Sequence, residues 1–155
     1  MMPPGGQGST YRYVGDDRAP SADGWESLGD MGHLDSDGYL YLGDRKTDMI
    51  LCGGANVFPA EVESAIDAHA AVRSSAVIGL PDAERGERVC AVVETTDGAG
   101  DLTQAEMVAA CAEAELMVQK VPEQLVVHDG PMPRNATMKV LKYELKDALA
   151  GIPWP

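Results

Sequence analysis

Residues 89 to 93 read VCAVV, an unbroken apolar run inside ERVCAVVET (87 to 95). Alternating polarity would mark a strand with one wet face. Its absence over a short β-branched run marks a strand at the centre of a sheet. SAVIGL (75 to 80) is a second strong strand, joined to the first by the turn PDAERG, and EQLVVHD (123 to 129) is a third. Helical patterns surround these three. Pro59 occupies a natural first helical position, Glu61 and Glu63 follow where the dipole favours acid, and Val62, Ala65 and Ile66 form one apolar face that ends near His69. Thr103 and Glu106 make a capping box for a second helix with the stripe Met107, Ala110, Cys111, Ala114, Met117 and Val118. A last helix is expected from about Thr137 to Leu149, with Val140, Leu141, Leu145 and Ala148 inward.

This order of elements predicts an α+β domain of two layers, a small mixed sheet of about three strands covered by helices and preceded by a short β-hairpin. The hairpin is read from GWESLGDMGHLDSDGYLYLGDR, where Asp/Gly turns flank the alternating YLYL. MILC (49 to 52) is a further short strand that runs into a glycine pair. The first 24 residues are rich in Gly, Pro, Ser and Asp, carry little periodicity and are expected to be flexible.

A net charge of −13 repels a phosphate backbone, so nucleic acid is not an expected partner. Cys52, Cys90 and Cys111 are odd in number, widely spaced and set among apolar residues. They read as buried free thiols of a reducing cytoplasm, and the equally scattered His33, His69 and His128 give no metal site. No run approaches the roughly 18 apolar residues of a membrane span, and MMPPGGQGS lacks the charged and apolar regions of a signal peptide.

Three segments carry candidate chemistry. In SLGDMG, Asp30 is expected in a tight turn between Gly29 and Gly32, its carboxylate open to two donors such as a ribose diol; bonding to its own turn is the alternative. In LCGGANVFPAEVE, Gly53 and Gly54 can take positive φ and let a ligand approach the backbone closely. In GPMPRNATMKVLKYELK, Lys139 falls in the expected first turn of the last helix, where the dipole opposes a cation by about 0.3–1 kcal/mol. Its alternative is a solvated basic face shared with Lys142 and Lys146.

GWESLGD, DGYLYLGDRKTDMI, LCGGANVFPAEVE, VIGLPD and PRNATMKVLKYEL stand in the order and spacing of the adenylate-forming superfamily, and the chain resembles the carboxy-terminal, lid domain of that family over about residues 24 to 149. The flavour of GGANVFPAEVE and GLPD is closest to fatty-acid and other acyl-CoA ligases. The resemblance implies a two-step reaction: a carboxylic acid and ATP give acyl-adenylate and pyrophosphate, and coenzyme A then gives acyl-CoA and AMP. It implies ATP/AMP, coenzyme A and Mg2+ as ligands, the last entering with ATP and held mainly by a large amino-terminal domain. That domain is the expected partner, and 25–46 would be a strip of its edge, 47–150 the lid and 151–155 a tail. Lys139 would be the catalytic lysine of adenylation. Asp30 would bind the ribose hydroxyls and Arg45 would lie near the nucleotide, while Gly53 and Gly54 would form the loop on the coenzyme A side, with a hinge at Thr47. Two positions depart from the pattern: Thr47 stands where the family has Asp or Lys, and Met138 where it has glycine. No G-x-x-x-x-G-K-S/T or G-x-G-x-x-G loop is present. The implied fragment is inactive alone. The alternative is a free-standing interaction module that complements a separate large domain or binds a carrier protein, although an acidic surface would repel an acidic carrier.

Overall fold

A computed structural model describes residues 29–98, 100 and 102–152. The expected flexible segment 1–24, the stretch GWES and the last three residues lie outside the described part. The chain divides after Thr47 into two compact units, Met1–Thr47 and Asp48–Pro155.

In the first unit, β1 (Asp30–Leu34) pairs antiparallel with β2 (Leu40–Arg45), which is the expected hairpin. Its connection is organised by Asp35, whose Oδ1 accepts from the amides of Asp37 (3.0 Å) and Tyr39 (2.9 Å). Those amide donors, Tyr39 first, hold the Asp35 carboxyl below its usual range.

The second unit has the expected α+β class, with a sheet enlarged by two short strands. β3 (Ile50–Cys52) and β4 (Ala55–Val57) form a hairpin, followed by α1 (Pro59–Asp67), β5 (Val72–Asp82), β6 (Gly86–Thr95), α2 (Gln104–Glu113), a 3-10 turn (Val118–Lys120), β7 (Gln124–Val127) and α3 (Lys142–Leu149). The sheet order is β4-β3-β6-β5, with β7 lying parallel to β6 and every other pairing antiparallel. Val89 to Val93 are fully buried, as a central strand requires. Alternate residues of β6 enter different cores. Val89, Ala91 and Val93 pack with Val62 and Ile66 of α1 and Met107 and Cys111 of α2, whereas Cys90 and Val92 pack with Leu145 and Leu149 of α3. The domain therefore has three layers instead of two, because the uniformly apolar strand gives both faces something to cover.

The Thr103–Glu106 capping box forms as expected. Its hydrogen bonds lower the Glu106 carboxyl, with the Thr103 side chain the leading cause. The stripe behind it is shorter than predicted. Glu115 adopts φ 55°, and Leu116 N–H bonds Cys111 O at 3.1 Å, so the chain reverses just beyond α2. Ala114, Met117 and Val118 are consequently exposed, and Leu116 and Val121 supply the inward contacts. In α3, Leu149 is buried where Ala148 was expected; Ala148 faces solvent.

A carboxylate binds the opposite faces together. Glu63 Oε1 accepts from Val77 N–H and pairs with Lys142 Nζ, each at 2.7 Å, linking α1, β5 and α3. A second carboxylate depends on a glycine. Glu87 Oε2 accepts from Leu51 N–H at 2.8 Å, passing over Gly79. A Cβ at Gly79 would lie 2.8 Å from Glu87 Cδ and 2.9 Å from Ile50 Cγ2, and Ile50 has no room to give. Gly79→Ala is expected to cost about 1–3 kcal/mol through overpacking, seen as a lower urea midpoint with unchanged slope. An unchanged midpoint would show that Glu87 moves aside freely.

Candidate functional site

Gly53 and Gly54 are the two-residue connection of the β3–β4 hairpin, with φ of 55° and 84°. Positive φ at both central positions is the turn whose twist matches that of flanking strands, and glycine reaches it without strain. A Cβ at either position would meet nothing within 4 Å. The glycines thus serve backbone conformation and leave an open surface. Gly53 N–H bonds Arg85 O at 3.1 Å, and the Glu87 bond to Leu51 fixes the strand leading in. Nearby, Arg85 pairs with Glu123, and Cys52 Sγ lies 3.9 Å from Glu123 Oε1. Burial, then the Glu123 charge, raises the Cys52 thiol pKa; burial alone pushes Cys90 up to about 12. All three cysteines are free and buried.

Lys139 is not in a helix. The last helix begins at Lys142 with Leu141 as its N-cap, so Thr137 to Leu141, predicted helical, form a loop. The dipole cost expected for Lys139 falls on Lys142, where the Glu63 carboxylate offsets it. Arg134 and Val140 make an isolated antiparallel bridge, and between them Asn135 N–H bonds Lys139 O while Met138 N–H bonds Asn135 O, both at 2.9 Å. Asn135 Oδ1 accepts from Thr137 N–H (3.0 Å), Thr137 Oγ1 (2.8 Å) and Lys139 N–H (2.9 Å). This side chain replaces the helical bonds that the apolar spacing suggested. Met138 adopts φ 66°, a left-handed conformation that favours glycine, and its side chain is exposed.

The Lys139 ammonium is exposed and makes no hydrogen bond or ion pair among the described residues, unlike Lys142 with Glu63 and Lys120 with Glu61. The three lysines 139, 142 and 146 therefore do not form one solvated helix face. Arg134, which sequence reasoning passed over, ties this loop to the sheet. Its Nη2 donates to Ser74 Oγ at 2.9 Å and lies 3.5 Å from Glu94 Oε1, and its Nη1 donates to Met138 O at 3.1 Å.

In the other unit, Asp30 opens β1 directly opposite Arg45 of β2, beside a bulge before Gly32, and not inside a tight turn. The two side chains form an exposed ion pair at 3.7 Å. The hairpin thus brings together the two residues singled out for the nucleotide. Thr47 lies exposed in the turn that closes this unit. Among the described residues no group of three or more His, Cys, Asp or Glu could hold a metal ion, and no helix is long and apolar enough to cross a membrane.

Residues 61–139 match the family described as AMP-binding enzyme C-terminal domain. The chain is 38% identical over 126 residues to the 2-succinylbenzoate–CoA ligase of a Geobacillus strain, a match covering 81% of this chain and 25% of that enzyme. It is 40% identical over 124 residues to the long-chain-fatty-acid–CoA ligase FadD13 of Mycobacterium tuberculosis, covering 80% of this chain and 24% of that one. Among solved structures, it superimposes on the o-succinylbenzoate CoA synthetase of Bacillus subtilis in complex with the acyl-adenylate intermediate OSB-AMP with a TM-score of 0.73 at 38% identity, covering 81% of this chain and 25% of that one. ATP-bound MatB of Rhodopseudomonas palustris gives 0.76 at 36% identity, covering 86% and 26%. The chain thus spans about a quarter of the length of the relatives it matches.

Proposed function

The chain belongs to the AMP-binding enzyme C-terminal domain family of the acyl-CoA synthetases, and from that premise we propose that it supplies the adenylation lysine and the coenzyme A-side loop of an AMP-forming acid–thiol ligase. The observation that carries this reading is the bare ammonium of Lys139, presented from a shaped loop, whereas Lys142 and Lys120 are each paired with a glutamate. A cation so placed bridges the substrate carboxylate and the α-phosphate of ATP. It offsets the negative charge that builds at phosphorus, and a fixed charge in a dry site does this without reorganising.

Asp30 takes the ribose hydroxyls of the nucleotide, and Arg45 beside it lies near the nucleotide. An exposed pair held at 3.7 Å contributes little to stability, so exchanging one partner for a diol costs little. Gly53 and Gly54 lie along the pantetheine arm of coenzyme A, where absent side chains let it pass against the backbone. Thr47, at the division between the units, is the hinge. Mg2+ enters with ATP and is held by the phosphates and the large domain, whose phosphate loop and acid pocket complete the site.

Adenylation needs those parts, so this chain alone is expected to show no ATP–pyrophosphate exchange. Exchange should appear when the large domain is supplied, in one polypeptide or as a separate chain. Exchange by the 155 residues by themselves would overturn the reading.

A further inference from the structure

We propose that Arg134 is the positioning residue for Lys139, holding the peptide link that precedes it in the orientation adenylation requires; this rests on the reading of Lys139 given above. The bonds of Asn135 are internal to residues 135–139 and set the loop's shape, but they do not attach it to the sheet. Arg134 does both. One guanidinium nitrogen reaches Ser74 of β5 and lies beside Glu94 of β6, and the other takes the carbonyl of Met138. Glu94 is itself fixed: it is nearly buried, 7% exposed, and accepts from Met132 N–H at the start of the same segment.

The clamped carbonyl belongs to the residue whose backbone is under strain. A methionine at φ 66° is held in a well that costs about 1–2 kcal/mol for an L-residue, and its exposed side chain supplies no packing to hold it there. Without Arg134, only the Asn135 bonds within the loop oppose relaxation of Met138 to negative φ, which would rotate the 138–139 peptide and swing Lys139 with it. A planar fork with fixed geometry can bridge the sheet and the carbonyl together, whereas the single point charge of a lysine serves one of them. The long separation between Arg134 and its partners Ser74 and Glu94 explains why no local motif revealed the arrangement.

The test uses Arg134→Lys and Arg134→Gln. In the 155-residue chain, amide hydrogen exchange at Met138, Lys139 and Leu141 should quicken by about tenfold or more in both variants, while the β5–β6 amides of Ile78 and Cys90 keep their protection and report an intact fold. In the complete enzyme, ATP–pyrophosphate exchange should fall by about 10–100-fold in both, since a misplacement near 1 Å can cost that much, while thioester formation from supplied acyl-adenylate is spared. Unchanged loop exchange would refute the clamp regardless of what Lys139 does. A loosened loop with equal loss in both half-reactions would show a merely structural role. Intact adenylation in Lys139→Ala would bring down the catalytic reading and this proposal with it; it is told apart from a failed clamp because Arg134 variants would still loosen the loop.

Discussion

Lys139→Ala in the complete enzyme should lower ATP–pyrophosphate exchange by about 10²–10³-fold, the cost of removing one preorganised charge from a transition state. Thioester formation from preformed acyl-adenylate should persist. The substitution removes an exposed side chain with no partner among the described residues, so a change in folding cannot explain the loss. The split between half-reactions is the decisive measurement. On the proposed reading the lid turns at its hinge between the steps and withdraws Lys139 from the α-phosphate, so the lysine has no task when AMP leaves in the second step. Equal loss in both steps would place Lys139 in general substrate binding instead.

Gly54→Leu should do the reverse, lowering thioester formation by about 10–100-fold and leaving adenylation near its original rate. The substitution carries two effects that can be separated. Holding leucine at φ 84° strains the turn by about 1–2 kcal/mol, which a urea titration of the chain reads directly. The side chain itself meets nothing within 4 Å of its Cβ, so it projects into the space proposed for the pantetheine. Gly54→Ala supplies the control, with similar backbone strain and little bulk. If alanine impairs the thioester step as severely as leucine, the turn's conformation is at fault and not the passage of coenzyme A.

The parts of the fold that were legible in the sequence are those written in contiguous residues. VCAVV announced a central strand, Thr103 and Glu106 announced their own capping box, and the glycine pair announced positive φ. What escaped was decided by single side chains competing with a periodic pattern. Val140, Leu141 and Leu145 keep helical spacing, yet Asn135 captures the amide of Lys139 and delays the helix to Lys142. The stripe through Met117 and Val118 likewise continues on paper, but Glu115 turns left-handed and ends it. Of the candidate site, glycines 53 and 54 follow from a hairpin whose register is local, whereas Asp30, expected in a tight turn, lies in a strand opposite Arg45. Glu87 over Gly79 and Arg134 against Ser74 and Glu94 could not be read this way, because their partners meet only after the sheet has formed.

The link from Glu63 to Val77 and Lys142 has a consequence for the chain's behaviour in concentrated solution. β5 is the outermost strand on its side of the sheet and is 11 residues long. A bare margin of that length is a template on which a foreign strand can add itself, the first step toward aggregates. Here the outward amide of Val77 is already taken by a carboxylate whose charge is matched by an ammonium. An intruding strand must break that arrangement before it can pair across the middle of β5. The same two side chains that fasten α3 therefore guard the sheet against self-association, whether or not a larger protein surrounds it.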